Sequence, residues 1–432
     1  MICDNIAIST EGVLKFAGQD VVELAKKYGT PLYLLDENKI RENCRKYKKA
    51  FGKYFGEGSF PAYASKANCF KQMYRIMKEE GMGIDVVSSG EIFTALEAGY
   101  DISNAYFHSN NKTDADIKYA IENGIGFFVA DNIEEVNAID MEAERQGKKQ
   151  KILLRLTPGI DPHTFDAVAT GKVDSKFGSP IETGQAEEIT RLTLQKKNIE
   201  LEGFHCHLGS QIFAEDVFER GAEIMLEFAA MIRDKYGYTL KQLDLGGGYG
   251  VRYAENDPYL DIDTKTGEIS AKINQTCKGL NMDVPNIHME PGRSIVADAG
   301  MTLYTVGTVK KIPGYRNYVS IDGGMPDNPR FALYKSSYTC FAANKMNEHA
   351  DMECSIVGRC CESGDIIQEH VKMPESVGRN DIVAVCTTGA YNYSMASNYN
   401  RIARPPIIML KDGESYVAVK RETAEDLTRN DV

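Results

Sequence analysis

A chain of 432 residues is too long for one compact core, and 43% hydrophobic with 26% charged residues is globular rather than disordered composition. A net charge of −12 without a Lys/Arg block argues against nucleic acid or an anionic membrane as partner. The ten cysteines form no CxxC pair, so neither a zinc site nor a disulfide framework is indicated. The start, "MICDNIAIST", carries an acid and no basic-then-apolar pattern, and no apolar run reaches bilayer-crossing length. A reduced, cytoplasmic protein is expected.

"GVLKF" and "PLYLLD" come first, as short β-rich runs. From Phe60 onward a short apolar run, a polar break and a helical stretch recur. The runs are "FPAYA" (60–64), "GIDVV" (83–87), "AYFHS" (105–109), "FFVAD" (127–131), "ILLRLT" (152–157), "GFHCH" (203–207), "LDLGG" (243–247) and "IHMEP" (287–291). The first four start about 22 residues apart, the length of one βα unit with short loops. Between them, Ser88 with Glu91 and Thr113 with Asp116 have capping-box spacing, and Asn132 can cap "IEEVNAIDMEAE". Eight strand–helix repeats predict a (β/α)8 TIM-like barrel over residues 37–300, with an open doubly wound sheet as the alternative. After about Gly300 come "TLYTVGTVKKI", "YVSIDGG", "DIVAVCTT" and "SYVAVKR", broken by Gly and Pro. Residues 1–36 and 301–432 are therefore expected to form a β-sandwich or β-barrel-like domain, antiparallel in pairing and built from both chain ends.

In such a barrel the strand C-termini and the loops after them line the active site. Those positions read Lys66, Asp85, His108 to Asn110, His207 to Gln211, Gly246 to Gly248, and Glu290 to Arg293. Most lysines are solvated, but a desolvated one has a lowered pKa and can form a Schiff base with an aldehyde. Gly246, Gly247 and Gly248 offer consecutive backbone N–H groups, a phosphate cradle, although loop flexibility alone also explains a glycine cluster. His205 and His207 fall on one face of a strand-like run, which suggests a metal pair. No carboxylate or cysteine completes that set, so no metal is expected, and an imidazole stacked on an aromatic ring fits better. Glu290 is an acid at the barrel mouth, with an ion pair to Arg293 as the plain structural alternative. Pyridoxal phosphate would use all these parts together: an amine for its aldehyde, a nest for its phosphate, a surface to stack on, and an acid opposite its pyridine nitrogen.

The ordered motifs "YASKAN", "HCHLGSQ", "DLGGGYG", "EPGR", "DGGMPDNPRFALY", "CESGD" and "GAYNYSMASNYN" resemble those of the diaminopimelate decarboxylase family, in the alanine racemase-like barrel class. The likeness spans about residues 30 to 410 and includes "TPGIDPHTFDAVATGKVDSKFG" (157–178). It implies pyridoxal 5′-phosphate as cofactor and Lys66 as the Schiff-base lysine. It makes His207 the ring-stacking imidazole and Glu290 the acid facing the pyridine nitrogen. Asp85, Ser210, Gly246, Gly247, Gly248, Pro291, Gly292, Arg293 and Tyr391 become cofactor-binding residues. The same likeness implies a homodimer with shared sites, in which the partner subunit contributes Cys361 and Glu362. Cys361 is then the proton donor, a thiol having a reference pKa of about 8.5. The family usually has Gly-Pro before the cysteine motif, whereas "GRCCESGD" has Arg359 and an added Cys360. Cys361 keeps the spacing to Glu362 and Asp365.

A diamino-dicarboxylic substrate has a second carboxylate, for which Arg293, Arg330, Tyr334 and Tyr391 are the expected binders, and a second ammonium, for which Glu362 is. Arg330 tying a loop to the sheet is the plain alternative. The rival activities are decarboxylation of carboxynorspermidine, ornithine or arginine, amino-acid racemisation, and cofactor carriage without turnover. In the racemase branch an arginine faces the pyridine nitrogen, and single-barrel carriers lack both the β-domain and "CESGD".

Overall fold

The computed structural model describes residues 1–160, 173–214 and 216–432. Of the stretch 157–178, residues 161–172 thus lie outside the described residues. The chain folds as two units: one is Asn43–Gly250 with Leu260–Gly292, the other Met1–Glu42, Val251–Tyr259 and Arg293–Val432.

The first unit is a closed parallel barrel. Its strands are β1 (Phe60–Ala64), β2 (Gly83–Val86), β3 (Ala105–Phe107), β4 (Phe127–Ala130), β5 (Gln150–Thr157), β6 (Ile199–His205), β7 (Gln242–Asp244) and β8 (Asn286–Met289). Each pairs with the next in parallel, and β8 pairs with β1 to close the ring. All eight apolar runs became strands, mostly one to three residues short at the C-terminal end. There the sequence turns to glycine, proline and charge, which leave the ladder for loops. The interior is filled by Ala62, Tyr106, Val129 and Leu153 with Phe60 and Phe127 against them, and the Tyr106 and Phe127 rings stack at 4.7 Å. It is a packed core, not a pore.

The helices between the strands start where the caps predicted. Ser88 accepts the Glu91 N–H, and Asn132 accepts that of Glu135. Thr113 and Asp116 cap each other reciprocally, a motif that contributes about 1 kcal/mol. Helix Ile133–Arg145 buries Val136, Ile139 and Ala143, the stripe that its 3.6-residue period dictates.

The second unit is organised by the long strand Gly300–Ile312. Its first half pairs antiparallel with Leu32–Asp36 and Ile382–Cys386, and its second half with Arg316–Ile321, the register shifting between Val306 and Thr308. Alternation sends Met301 and Leu303 into one apolar cluster with Leu14, Phe16 and Leu34, and Tyr304 and Val306 into another with Val319 and Ile356. The antiparallel expectation needs correction, because the sheet is mixed. Leu32–Asp36 runs parallel to Ile407–Lys411, and Arg316–Ile321 parallel to Met352–Val357. Strands so distant in sequence are joined by long crossovers, which free the pairing direction from hairpin geometry.

Candidate active site

The site residues read from the sequence fall into two groups, one in each unit. In the barrel unit they sit where the strands end. Lys66 rides on the 3-10 turn Ser65–Ala67 just after β1, and its side chain is exposed. A desolvated amine was expected, so this is a correction. The turn carries Lys66 past the last ladder position, and the barrel core stops short of it. Its charge still acts on Asp85, Glu91, His205 and His207, which places the amine among the mouth residues.

Glu290 follows β8 and is buried, its N–H donating to the Gly246 carbonyl at 2.8 Å. His205 Nε2 lies 3.3 Å from its Oε2, and His108 Nε2 lies 2.6 Å from its Oε1. The two imidazoles meet edge to face at 4.9 Å. Burial alone would raise the Glu290 pKa, but His108 and His205 outweigh it and hold the carboxyl well below its usual range. Burial pushes His108 down to about 3 and His205 in the same direction, so at neutral pH an ionised acid sits among neutral imidazoles. The carboxylate that the His205–His207 pair lacked in the sequence thus arrives from β8. It meets His205 and His108, not His207.

Asp85, on β2, is buried, and its Oδ1 has no hydrogen-bond partner among the described residues. Burial and the Glu290 charge push it well above its usual value, and Lys66 opposes them. His207 lies beyond the end of β6. Its Nδ1 accepts the Gly247 N–H at 3.1 Å, which puts the ring proton on Nε2 in the neutral form. Burial, then Lys66 and Arg155, hold it neutral. Ser210 is half-buried in the same loop.

The glycine loop packs against the acid's backbone. A Cβ on Gly247 would lie 2.1 Å from the Glu290 carbonyl oxygen, and Gly248, at φ +108°, has room for none beside Gly209. Gly246 donates its N–H to Asp244 Oδ1 at 2.8 Å and Gly247 to His207. The run of open N–H groups read from the sequence is therefore narrower than expected, because neighbouring side chains already take two. Pro291 accepts the Ala64 N–H at 3.2 Å, and a Cβ on Gly292 would meet that of Ala64 at 2.8 Å.

Three residues carry no role in the sequence reading. Arg155 on β5 stacks over the Phe177 ring at 4.4 Å and acts on Asp85, Asp131 and His207. His108 and Asp244 are the others. The available signal was a charged or polar residue within or just past an apolar run, "ILLRLT" above all.

In the second unit, Arg293 and Arg330 are buried and flank one ring: their guanidinium carbons lie 4.8 and 5.0 Å from the Tyr391 centroid. Arg330 also covers Tyr334 at 5.1 Å, and Arg293 Nη1 donates to the Tyr253 hydroxyl at 2.6 Å. Tyr391 holds a left-handed backbone at φ +65°. Cys361 and Glu362 are exposed, with the Cys361 N–H donating to Asn400 Oδ1 at 2.9 Å. The added Cys360 is half-buried, its N–H on Asp365 Oδ2 at 2.8 Å, and burial pushes its thiol up to about 12. Of the two neighbouring cysteines, the exposed one is Cys361.

Residues 37–297 match the family model for the pyridoxal-binding domain of pyridoxal-dependent decarboxylases, and the chain belongs to that family. Within it, the similarity is to the diaminopimelate decarboxylases. The enzyme of that name from Bacillus subtilis is 44% identical over 98% of this chain and 95% of its own length, and that of Staphylococcus aureus 43% over 99% of each. A crystal structure of the diaminopimelate decarboxylase from M. jannaschii in complex with L-lysine superposes with a TM-score of 0.91 at 30% identity, covering 100% of this chain and 98% of the other.

The residues fit the cofactor that the family name states. The buried Asp85 Oδ1 lacks a hydrogen-bond partner among the described residues, as an acid facing a bound group would, and the Lys66 amine acts on it.

Proposed function

We propose that the chain decarboxylates meso-2,6-diaminopimelate to L-lysine and CO2 with pyridoxal 5′-phosphate, as a homodimer with shared sites. The observation that carries the reading is Glu290, a buried carboxyl at the barrel mouth with His205 Nε2 3.3 Å from Oε2 and His108 Nε2 2.6 Å from Oε1. When bound, the cofactor would supply an aldehyde for the substrate α-amine and a ring able to accept the electron pair left as CO2 departs.

The protein's part is to bind, orient and move protons. Lys66 tethers the cofactor through its amine. Glu290 keeps the ring nitrogen protonated, because an ionised buried acid favours a cation facing it. His207 offers its ring face, and its neutrality avoids a second positive charge against the ring. Asp85, Ser210, Gly246, Gly247, Gly248, Pro291, Gly292 and Tyr391 hold the cofactor, the glycines admitting its phosphate close to backbone.

Arg293, Arg330 and Tyr334 take the distal carboxylate of the substrate, and Glu362 the distal ammonium. The Arg293 and Arg330 guanidiniums, both buried and flanking Tyr391, offer planar forks that match a carboxylate. Cys361 of the partner subunit returns a proton from Sγ to Cα. Glu290→Gln, which keeps the shape and removes the charge, tests the reading. CO2 release should fall about 100-fold or more with cofactor still bound, and wild-type turnover would contradict it.

A further inference from the structure

Glu290 has a second acid beside it. Asp244 ends β7, fully buried and in register with His205 on β6 and His288 on β8, so the three side chains share one face of the sheet. Glu290, two residues beyond His288, returns to that face. Asp244 Oδ1 accepts the Gly246 N–H at 2.8 Å, Oδ2 is buried without a donor among the described residues, and the Asp244 and Glu290 carboxyls are within hydrogen-bonding reach of each other. Two carboxylates are both acceptors, so they can bond only by sharing a proton. The titratable groups facing Asp244 are Glu290 just past β8, His205 on β6, His288 on β8, Asp85 on β2, Tyr106 on β3, Cys206 after β6 and Tyr249 after β7.

The geometry points to Asp244 as a positioning residue that stays protonated at neutral pH and donates its Oδ2 proton to Glu290, orienting the carboxylate that faces the ring nitrogen. The proton belongs on Asp244 because Glu290 already has imidazole partners, whereas Asp244 has one backbone N–H. Burial and the Glu290 charge raise Asp244 while the imidazoles lower Glu290, the direction that this sharing requires. The inference rests on Glu290 being the acid opposite the cofactor.

Infrared spectroscopy of the cofactor-free full-length protein at neutral pH tests the shared proton without any turnover. A protonated-carboxyl stretch should shift on 13C-aspartate labelling and lose intensity in Asp244→Asn, which keeps a donor in place of the acid. Absence of the band from the wild type, or an unchanged band in the variant, would overturn the inference even if the enzyme decarboxylates as proposed. On the holoenzyme, Asp244→Leu should lose about tenfold more kcat than Asp244→Asn at similar KM. Equal losses from both, with both folded, would overturn it too.

Discussion

Gly247→Ala is the smallest change that reaches the acid at the barrel mouth. The added Cβ would stand 2.1 Å from the Glu290 carbonyl oxygen and 3.0 Å from its carbonyl carbon, where ordinary contact begins at 3.4 Å. The obstacle is backbone, which cannot rotate away, so β8 or the glycine loop must yield by about 1.3 Å, the gap between 2.1 and 3.4 Å. Glu290 N–H is bonded to the Gly246 carbonyl at 2.8 Å, so a shift of the loop pulls the acid with it. Displacing a catalytic group by about 1 Å costs about 100-fold in rate, or ~2.7 kcal/mol of barrier. Overpacking should also cost ~1–3 kcal/mol of stability, at about 1–2 °C of midpoint per kcal/mol for a chain of this size. CO2 release and thermal unfolding, measured beside Gly52→Ala, provide the assay. Gly52 lies in the helix Glu37–Tyr54 with no atom within 4 Å of a new Cβ, and its alanine variant should gain ~0.5–1 kcal/mol. A Gly247→Ala enzyme with wild-type midpoint and kcat would refute the close packing of loop against acid.

Three further outcomes are expected. Borohydride reduction of the holoenzyme and peptide mapping should find the pyridoxyl adduct on Lys66; an adduct on another lysine contradicts the assignment. Arg330→Ala should lower kcat/KM for diaminopimelate by about 10- to 100-fold, the value of a charged hydrogen bond, and change turnover of substrates without a distal carboxylate far less; equal losses contradict that role. Burial pushes His288 down to about 4, below its unfolded value of ~6.5. Stability is then whole above pH ~6.5 and falls as pH drops towards 4, by up to ~3 kcal/mol, because only the unfolded chain takes up the proton. His288→Gln should flatten that slope in denaturant titrations, and an unchanged slope contradicts it.

The barrel was legible because its strands are short apolar runs spaced by capped helices, a one-dimensional pattern. Asp85 and Glu290 were legible for the same reason, as charges set within such apolar runs. What sits beside Glu290 was not, since His108, His205 and Asp244 reach it from three different strands, and no spacing along the chain encodes that convergence. The exposure of Lys66 escaped for a related reason: a 3-10 turn and a strand continuation look alike in "YASKAN". In the second unit the strands Met352–Val357 and Ile366–Met373 went unread because charged residues interrupt their alternation. Ile407–Lys411 is a continuous apolar run whose parallel partner, Leu32–Asp36, lies at the far end of the chain.

Purified protein loaded with pyridoxal phosphate, supplied with meso-diaminopimelate, ornithine or arginine in turn, puts the proposed reaction to its most direct test. CO2 and L-lysine should appear in equal amounts from diaminopimelate, with little release from the other two. Preferential release from ornithine or arginine, or recovery of diaminopimelate intact or only epimerised, would contradict the account.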